Sequence, residues 1–234
     1  MKKTNLYDKF IKILITISLI FLLLFWQIIP LVLLKTLNIN KDTLNETIKV
    51  IITFISDILL LLIFILIYKK TITRDFKKYF NNELKSHLKE SFSTWLIGFG
   101  IMIVSNILIA LITNGKLAQN EETVRALIDS HPLYMLFQIM IYAPITEELI
   151  FRKSIKDICD NKIIYILTSG LIFGGLHIIS SLQNPMGLLY LIPYSALGCV
   201  FAYLYQKTDN IFSTITAHSF HNTLAFLIYI RGIR

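Results

Sequence analysis

Residues 132–159 read PLYMLFQIMIYAPITEELIFRKSIKDIC, an apolar stretch of membrane-spanning length that carries two adjacent glutamates, Glu147 and Glu148. One acidic side chain at the centre of a membrane helix costs roughly 2.5–3.5 kcal/mol on insertion scales. Because lipid offers such groups no partner, we expect both carboxylates to face other polar side chains and to serve a function. Pro144, one turn earlier, should leave the carbonyl of Met140 without its helical donor and kink the helix.

The composition excludes an ordinary soluble domain. Of the 234 residues, 55% are hydrophobic and 16% are charged, and apolar runs of spanning length recur along the chain. The sequence therefore predicts an all-α fold, a polytopic transmembrane helical bundle of about seven spans in one structural domain. The predicted spans are residues 10–34, 48–68, 92–113, 132–159, 162–181, 187–206 and 211–230. The first is interpreted as an uncleaved span, because its apolar part is too long for a signal peptide. Pro193 should kink the sixth span.

The segment 69–90, between the second and third predicted spans, is strongly basic. It carries Lys69, Lys70, Arg74, Lys77, Lys78, Lys85 and Lys89, with Phe76, Tyr79, Phe80 and Leu84 at helical spacing. This pattern is typical of an amphipathic helix on the inner membrane surface. The simplest interpretation is a topology anchor, and the partner that we predict for the segment is anionic lipid. A nucleic-acid partner is not expected, despite the net charge of +8.

The same charges predict the orientation of the chain. Basic residues cluster at 2–3, at 69–90 and at 152–162, and these clusters share one side of the membrane if the N-terminus is inside. We therefore predict a multi-pass membrane protein with a cytoplasmic N-terminus. The composition, rich in Lys, Ile and Asn, is typical of a low-GC bacterium, so the predicted location is a bacterial plasma membrane. The arginines of the tail, 231–234, would then lie outside, against the rule.

The two halves of the chain differ in content. Residues 1–113 hold the first three predicted spans and the basic segment, and they carry no motif. Residues 114–234 hold the remaining spans and every candidate site residue. We predict this second part to be the catalytic helical core of a single overall domain.

The hairpin formed by the fourth and fifth predicted spans brings polar residues to one depth. Glu148 lies 14 residues before Lys162 and His177 lies 15 residues after it. At about 1.5 Å per residue, both rise roughly 21–23 Å from the turn. Arg152 and Phe173 match in the same way, one turn lower. We therefore expect the glutamates to meet His177 across this hairpin.

The last predicted span adds His218 and Asn222, which are four residues apart and share one helix face. They lie roughly 12–18 Å deep by the same helical rise. On the fifth span, Gly170 and Gly174 share a face with His177, and small residues there let another helix approach closely.

These side chains suit hydrolysis. Glu147 is left over once its neighbour pairs with Arg152, and it could act as general base on a water that His177 holds. His218 and Asn222 could donate hydrogen bonds to a developing oxyanion. The plain alternatives are a helix salt bridge, core histidines and an interhelical amide contact. No serine or cysteine nucleophile is obvious, because Ser169 and Ser180 in the fifth span have no spacing that links them to a base.

Three motifs occur in order, each in a separate apolar span: Glu147-Glu148-x-x-x-Arg152, Phe173-x-x-x-His177 and His218-x-x-x-Asn222. Together they resemble the signature of the CPBP family, the CAAX-protease and bacteriocin-processing (Abi) intramembrane endopeptidases. The resemblance covers about residues 120–230, and it implies an intramembrane peptidase.

The resemblance also implies roles for these residues. Glu147 would be the general base that activates water, His177 would position that water, and His218 with Asn222 would form the oxyanion hole. Three further side chains would organise the site: Glu148, Arg152 and Phe173.

The resemblance leaves the metal question open, because the family has been described both as metalloproteases and as metal-independent glutamate proteases. We expect no cofactor here, since HExxH is absent and the donors lie on three different helices. Zinc held by Glu147, His177 and His218 stays open as the alternative. His221 either joins such a site or faces another helix or water.

Two further function classes stay open. One is a non-catalytic membrane regulator or immunity scaffold on the same fold. The other is a proton-coupled transporter that uses Glu147, His177 and His218 as a relay, although the sequence shows no inverted repeat. For an enzyme, the resemblance implies a membrane-associated peptide or protein substrate, in peptide pheromone or bacteriocin processing or in bacteriocin immunity.

Overall fold

The computed structural model describes residues 6–81 and 83–232, and within those ranges the chain forms ten α-helices and no strand. The all-α prediction is therefore confirmed. The helices are α1 (Leu6–Phe25), α2 (Ile28–Thr36), α3 (Glu46–Ile67), α4 (Lys69–Phe80), α5 (Leu84–Thr113), α6 (Gln119–Ser130), α7 (Pro132–Ile158), α8 (Lys162–His177), α9 (Leu191–Thr208) and α10 (Ile211–Ile230).

Four of the helical stretches in residues 6–81 and 83–232 are long and apolar enough to cross a membrane, which confirms a polytopic membrane protein. They are α3, α5, α7 and the stretch Pro185–Thr208, which includes α9; the bent pair α1 and α2 makes a fifth if it crosses as one span. Helix α8 is apolar but has 16 residues, and α10 carries His218, His221 and Asn222 midway along its length. The number of seven spans stays a prediction.

The predicted first span, 10–34, is not one straight helix. It breaks at residues 26–27, and α1 and α2 meet at a bend of 60°. Pro30 explains the break, because it has no N–H for the carbonyl of Trp26 and its ring clashes with that carbonyl in a regular helix. The Trp26 indole N–H donates to the carbonyl of Ser56 in α3 at 2.7 Å.

The amphipathic helix predicted over 69–90 is shorter than expected. Helix α4 ends at Phe80, and the rest of the segment forms the first turns of α5, which continues through the membrane. Asn81 follows the end of α4, and asparagine favours helix ends over helix interiors. All seven basic residues of the segment are exposed, whereas Asp75, Tyr79 and His87 are buried.

The chain forms two compact units, Met1–Lys69 and Lys70–Arg234. The second contains every candidate site residue, together with α5. The sequence indicates a division of the chain at residue 113, because all of the motifs lie after that residue. This division stays a prediction.

Helices α8 and α9 pack closely along a seam of small residues. A Cβ at Gly170 would lie 2.7 Å from the backbone nitrogen of Cys199, and one at Gly198 would lie 3.0 Å from the Cα of Gly170. A Cβ at Gly174 would lie 2.7 Å from the backbone nitrogen of Ser195. The small residues predicted to admit another helix beside His177 therefore admit α9.

Pro193 lies in the first turn of α9, where a missing N–H is harmless. A short 3-10 segment, Pro185–Tyr190, leads into the helix. Pro193 therefore begins a regular helix, and the kink that we predicted inside this span does not occur.

We expect Gly174→Ala to destabilise the protein by about 1–3 kcal/mol, because the added Cβ meets the α9 backbone and cannot be relieved by a rotamer change. Thermal unfolding of the detergent-purified protein measures the effect. Gly175→Ala is the matched control, since a Cβ at Gly175 meets nothing within 4 Å. Equal unfolding temperatures for the two variants would contradict the close α8–α9 contact.

Candidate active site

The centre of the site is an ion pair between Glu148 and Arg152, whose side chains are both fully buried. The Arg152 Nε donates to Glu148 Oε2 at 2.9 Å, and its Nη1 donates to Ser169 Oγ in α8 at 2.8 Å. The guanidinium also lies over the rings of Phe173 and Phe201, 4.8 and 5.8 Å from their centroids. The predicted matching of Arg152 and Phe173 across the hairpin is therefore confirmed, and Arg152 joins α7 to α8 and α9.

The second carboxylate oxygen of Glu148 bonds to His218, a contact that the sequence did not predict. His218 Nδ1 lies 2.9 Å from Glu148 Oε1, and because an ionised carboxylate only accepts, the ring donates from Nδ1. The imidazole stacks on Phe201 at 5.2 Å and is edge-on to Phe173 at 5.9 Å. The two aromatic rings and Glu148 fix the position of the imidazole, and the bond to Glu148 also fixes its Nδ1 proton. Nε2 is therefore the ring nitrogen that faces Glu147 and can interact with a bound molecule.

Glu147 points to a different face of α7 from its neighbour, since successive residues are rotated by roughly 100° about a helix. Its Oε2 lies 3.8 Å from His218 Nε2. This buried oxygen has no hydrogen-bond partner in the part of the chain that the structure describes. A carboxylate in this position is costly unless another molecule completes its hydrogen bonding.

His177 lies on the wall of the same cavity as Glu147, but the imidazole nearest to the Glu147 carboxylate is that of His218. His177 Nδ1 lies 2.8 Å from the carbonyl of Phe173, so Nδ1 carries the proton and Nε2 is an acceptor. The ring stacks on Tyr194 of α9 at 4.9 Å. The predicted direct contact between Glu147 and His177 is therefore wrong. The two side chains instead line the same cavity.

Asn222 and Ser219 of α10 meet α7 where its helical bonding is interrupted. Residues 138–142 form a wider π-helical turn, and the regular stretch that follows begins at Ala143 with Pro144 as its second residue. Ser219 Oγ donates to the carbonyl of Met140 at 2.8 Å, the carbonyl that Pro144 was predicted to free. The Asn222 Nδ2 lies 3.4 Å from the carbonyl of Ile139, which orients the amide beside the cavity.

The cavity has a volume of about 720 Å³, within the range typical of ligand sites. Its wall includes the predicted catalytic residues Glu147, His177, His218 and Asn222. It continues along α10 to Tyr229, where Arg125 of α6 lies over the tyrosine ring at 5.1 Å. His218 and Tyr229 are eleven residues apart in one helix, a rise of about 16 Å. The cavity is thus long enough to hold several residues of an extended peptide.

The donors proposed for zinc do not converge on one point. Within residues 6–81 and 83–232, no three His, Cys, Asp or Glu side chains are grouped closely enough to hold a metal ion. His221 accepts a hydrogen bond from the indole N–H of Trp95 in α5 at 3.3 Å, so it faces another helix. As placed, Glu147, His177 and His218 do not fit a three-ligand zinc site.

Three side chains of the site were missed by the sequence reasoning. Ser169 receives a hydrogen bond from Arg152 and donates to the carbonyl of Phe151 at 2.6 Å. Phe201 and Tyr194 stack on the two imidazoles. Ser169 lies one turn nearer the hairpin turn than Phe173, the residue matched with Arg152, so depth matching did not indicate it. The aromatic residues of α9 carry no such signal either.

Residues 129–224 match the family described as "Type II CAAX prenyl endopeptidase Rce1-like". The resemblance to the CPBP family is confirmed for this part of the chain. All three motifs, from Glu147 to Asn222, fall inside the matched residues.

A curated relative agrees with this assignment. The chain is 32% identical over 123 residues to the "Putative membrane peptidase YdiL" of Bacillus subtilis (strain 168). The match covers 51% of this chain and 47% of the relative, so the chain matches about half the length of that protein. No solved structure matches the chain.

We expect Arg152→Ala to destabilise the protein by about 3–5 kcal/mol, because it leaves the buried Glu148 carboxylate without its main counter-ion. The unfolding temperature in detergent measures this effect. Lys153→Ala is the matched control, since Lys153 forms a one-turn ion pair with Asp157 at the surface, and such pairs contribute about 0–1 kcal/mol. Similar losses for both variants would contradict the central role of the buried pair.

Proposed function

We propose that the protein is an intramembrane endopeptidase that hydrolyses a peptide bond with Glu147 as general base. The observation that carries this proposal is the contrast between two adjacent acids. Both oxygens of Glu148 are bonded, one to Arg152 and one to His218. One oxygen of Glu147 is buried beside the cavity without a hydrogen-bond partner in the described residues. Such an oxygen is available to take a proton from water.

In the proposed reaction, Glu147 removes a proton from a water molecule while the water oxygen attacks the carbonyl carbon of the scissile peptide. The tetrahedral intermediate carries its negative charge on the former carbonyl oxygen. When the C–N bond breaks, the proton held by Glu147 passes to the leaving amine. A carboxylic acid and an amine result, and the carboxylate of Glu147 is restored.

The neighbouring side chains suit the two other tasks of the proposed reaction, which are to position the attacking water and to stabilise the oxyanion. His177 has its Nδ1 proton bonded to the carbonyl of Phe173, so its Nε2 can accept a hydrogen bond from the attacking water. His218 can donate from Nε2 when the ring holds both protons, and Asn222 can donate from its amide. Removing one such oxyanion donor typically costs about 10²–10³ in rate.

The form of the cavity supports a peptide substrate held in the membrane. Its wall combines apolar side chains near the site with Lys116, Glu121 and Arg125 toward the α6 end. We propose a membrane-associated peptide or protein as substrate, with peptide pheromone or bacteriocin processing, or bacteriocin immunity, as the biological setting. We propose the bacterial plasma membrane as the location, with a cytoplasmic N-terminus.

The exposed basic residues of 69–90 support a second part of this proposal. All seven are exposed, and Phe76 and Phe80 are half-exposed beside them. Cationic and aromatic side chains on one surface suit contact with anionic lipid headgroups. We propose anionic lipid as the partner of this face.

We expect Glu147→Gln to abolish peptide hydrolysis while the protein still accumulates in the membrane, because the amide cannot take a proton from water. The measurement is comparative peptidomics of membranes that contain the wild-type protein or the variant, which also identifies the peptide cleaved. Glu122→Gln, in the exposed face of α6, is the matched control and should leave the products unchanged.

The same experiment separates the enzyme from a scaffold. A regulator or immunity scaffold on this fold would keep its biological effect in the Glu147→Gln protein. Full hydrolysis by an accumulated Glu147→Gln protein would sink the proposed mechanism.

Water attack without a metal is also part of the proposal, and zinc is its alternative. Both imidazoles have Nδ1 engaged, by the carbonyl of Phe173 and by Glu148, so Nε2 is the ring nitrogen that would bind a metal. We expect the purified protein to hold less than stoichiometric zinc by elemental analysis and to keep its activity in strong chelator. Stoichiometric zinc whose removal ends hydrolysis, with recovery on adding zinc back, would establish the metalloprotease instead.

A further inference from the structure

Asp75 is a buried carboxylate in α4, far from the candidate active site in sequence and fully enclosed. Its Oδ2 accepts a hydrogen bond from the backbone N–H of Ile211 at 2.9 Å, across 136 residues of chain. The Asn210 Nδ2 returns a bond to the carbonyl of Asp75, also at 2.9 Å. The remaining oxygen, Oδ1, pairs with the partly exposed Arg74 at 2.6 Å. Both carboxylate oxygens of Asp75 therefore have a hydrogen-bond partner, and one of these partners is a backbone N–H in the first turn of α10.

Helix α10 does not need Asp75 in order to begin. Asn210 already caps the helix locally, because its Oδ1 accepts from the N–H of Phe212 at 2.9 Å. A local cap of this kind suffices at α3, where Asn45 accepts from the N–H of Ile48. The bond from Asp75 is therefore additional, and what it adds is the placement of α10 relative to α4.

Further contacts hold the first two turns of α10 against the same segment. The Tyr79 hydroxyl lies 2.9 Å from Thr216 Oγ1. Ser213 is held twice, by His87 Nδ1 at its hydroxyl and by Ser91 Oγ at its carbonyl, each at 2.9 Å. The buried face of residues 75–91 therefore fixes both the height and the rotation of α10.

His218 and Asn222 follow on the same helix, seven and eleven residues after Ile211. Because an α-helix is stiff over this length, a displacement at its start moves both side chains. His218 must keep its 2.9 Å bond to Glu148 while presenting Nε2 to the cavity. A shift of about 1 Å in such a group can cost about 10² in rate.

We propose that Asp75 is a positioning residue: through its bond to the N–H of Ile211 it sets the register of α10, and thereby the placement of His218 and Asn222 in the site. The inference rests on the proposed function, and it gives the basic segment a task besides membrane contact. The lysines face outward while the buried face holds the catalytic helix.

Hydrogen exchange of the full-length protein in lipid nanodiscs tests the placement without needing a substrate. In Asp75→Ala we expect exchange of the amides at 211–218 to rise by roughly five- to thirtyfold, because the buried N–H of Ile211 loses its acceptor and the first turns of α10 lose a bond to α4. Exchange in α8 and α9 should stay within about twofold of the wild type. Asp75→Asn keeps an acceptor oxygen for Ile211 and should restore most of the protection.

Asn45→Ala is the matched control, because it removes a side-chain cap from α3, which carries no site residue. It should leave exchange at 211–218 unchanged. Tyr79→Phe, which removes one bond to α10, should give a smaller rise confined to the same amides.

The second measurement is the Glu147-dependent cleavage product in membranes, quantified by mass spectrometry and normalised to the folded protein. For Asp75→Ala we expect a fall in kcat of roughly ten- to hundredfold with KM little changed, and recovery in Asp75→Asn. A loss of folded protein alone would lower the amount of active enzyme without this pattern of exchange.

Unchanged exchange at 211–218 in Asp75→Ala would overturn the proposal. A uniform rise in exchange across residues 70–232 would also overturn it, because such a rise indicates a general loss of stability. If Asp75→Ala does not accumulate, the same exchange comparison on Asp75→Asn and Tyr79→Phe decides. If no Glu147-dependent cleavage exists, the proposed function fails, but the exchange result still decides the placement of α10.

Discussion

The rest of the site depends on the Glu148 carboxylate being shared between Arg152 and His218. One oxygen binds a guanidinium on its own helix and the other binds an imidazole on α10, so a single buried anion joins two helices. Arg152 extends the connection to α8 through Ser169 and to α9 through the face of Phe201. A buried charge of this kind is expensive, and it is stabilised here because each carboxylate oxygen has a hydrogen-bond partner. Because Arg152 neutralises that anion, the carboxylate of Glu147, one residue earlier, is the one assigned as general base in the proposed reaction.

Much of this arrangement follows from spacing in the sequence. The four-residue interval between Glu148 and Arg152 predicts their pairing, and equal distances from the turn near residue 161 predict the contact of Arg152 with Phe173. The carbonyl of Met140 is exposed by Pro144 as expected, and Ser219 bonds to it. These features follow from the regular rise and periodicity within a helix and from the missing N–H of proline, all of which are nearly invariant.

Features that depend on rotation about the helix axis, or on contacts remote in sequence, could not be predicted in this way. Which imidazole approaches Glu147 is decided by the twist of α7, and two π-helical segments change that twist. The bond from Asp75 to Ile211 spans 136 residues and has no periodic signature. The break at Pro30 was not predicted either, although a proline in a helix interior removes a backbone hydrogen bond and tends to break the helix.

The wide turns of α7 also bear on how such a site tolerates changes in chain length. Each π-helical turn accommodates one residue more than a regular turn, and the segments 138–142 and 148–154 enclose the short regular stretch that ends at Glu147. Removing one residue from the first segment would restore a regular helix and rotate everything beyond it by roughly 100°. Glu147 would then leave the cavity wall and Glu148 would turn away from His218, although neither glutamate had been substituted. The orientation of the side chains on α7 therefore depends on the number of residues in its π-helical turns as well as on the residue types.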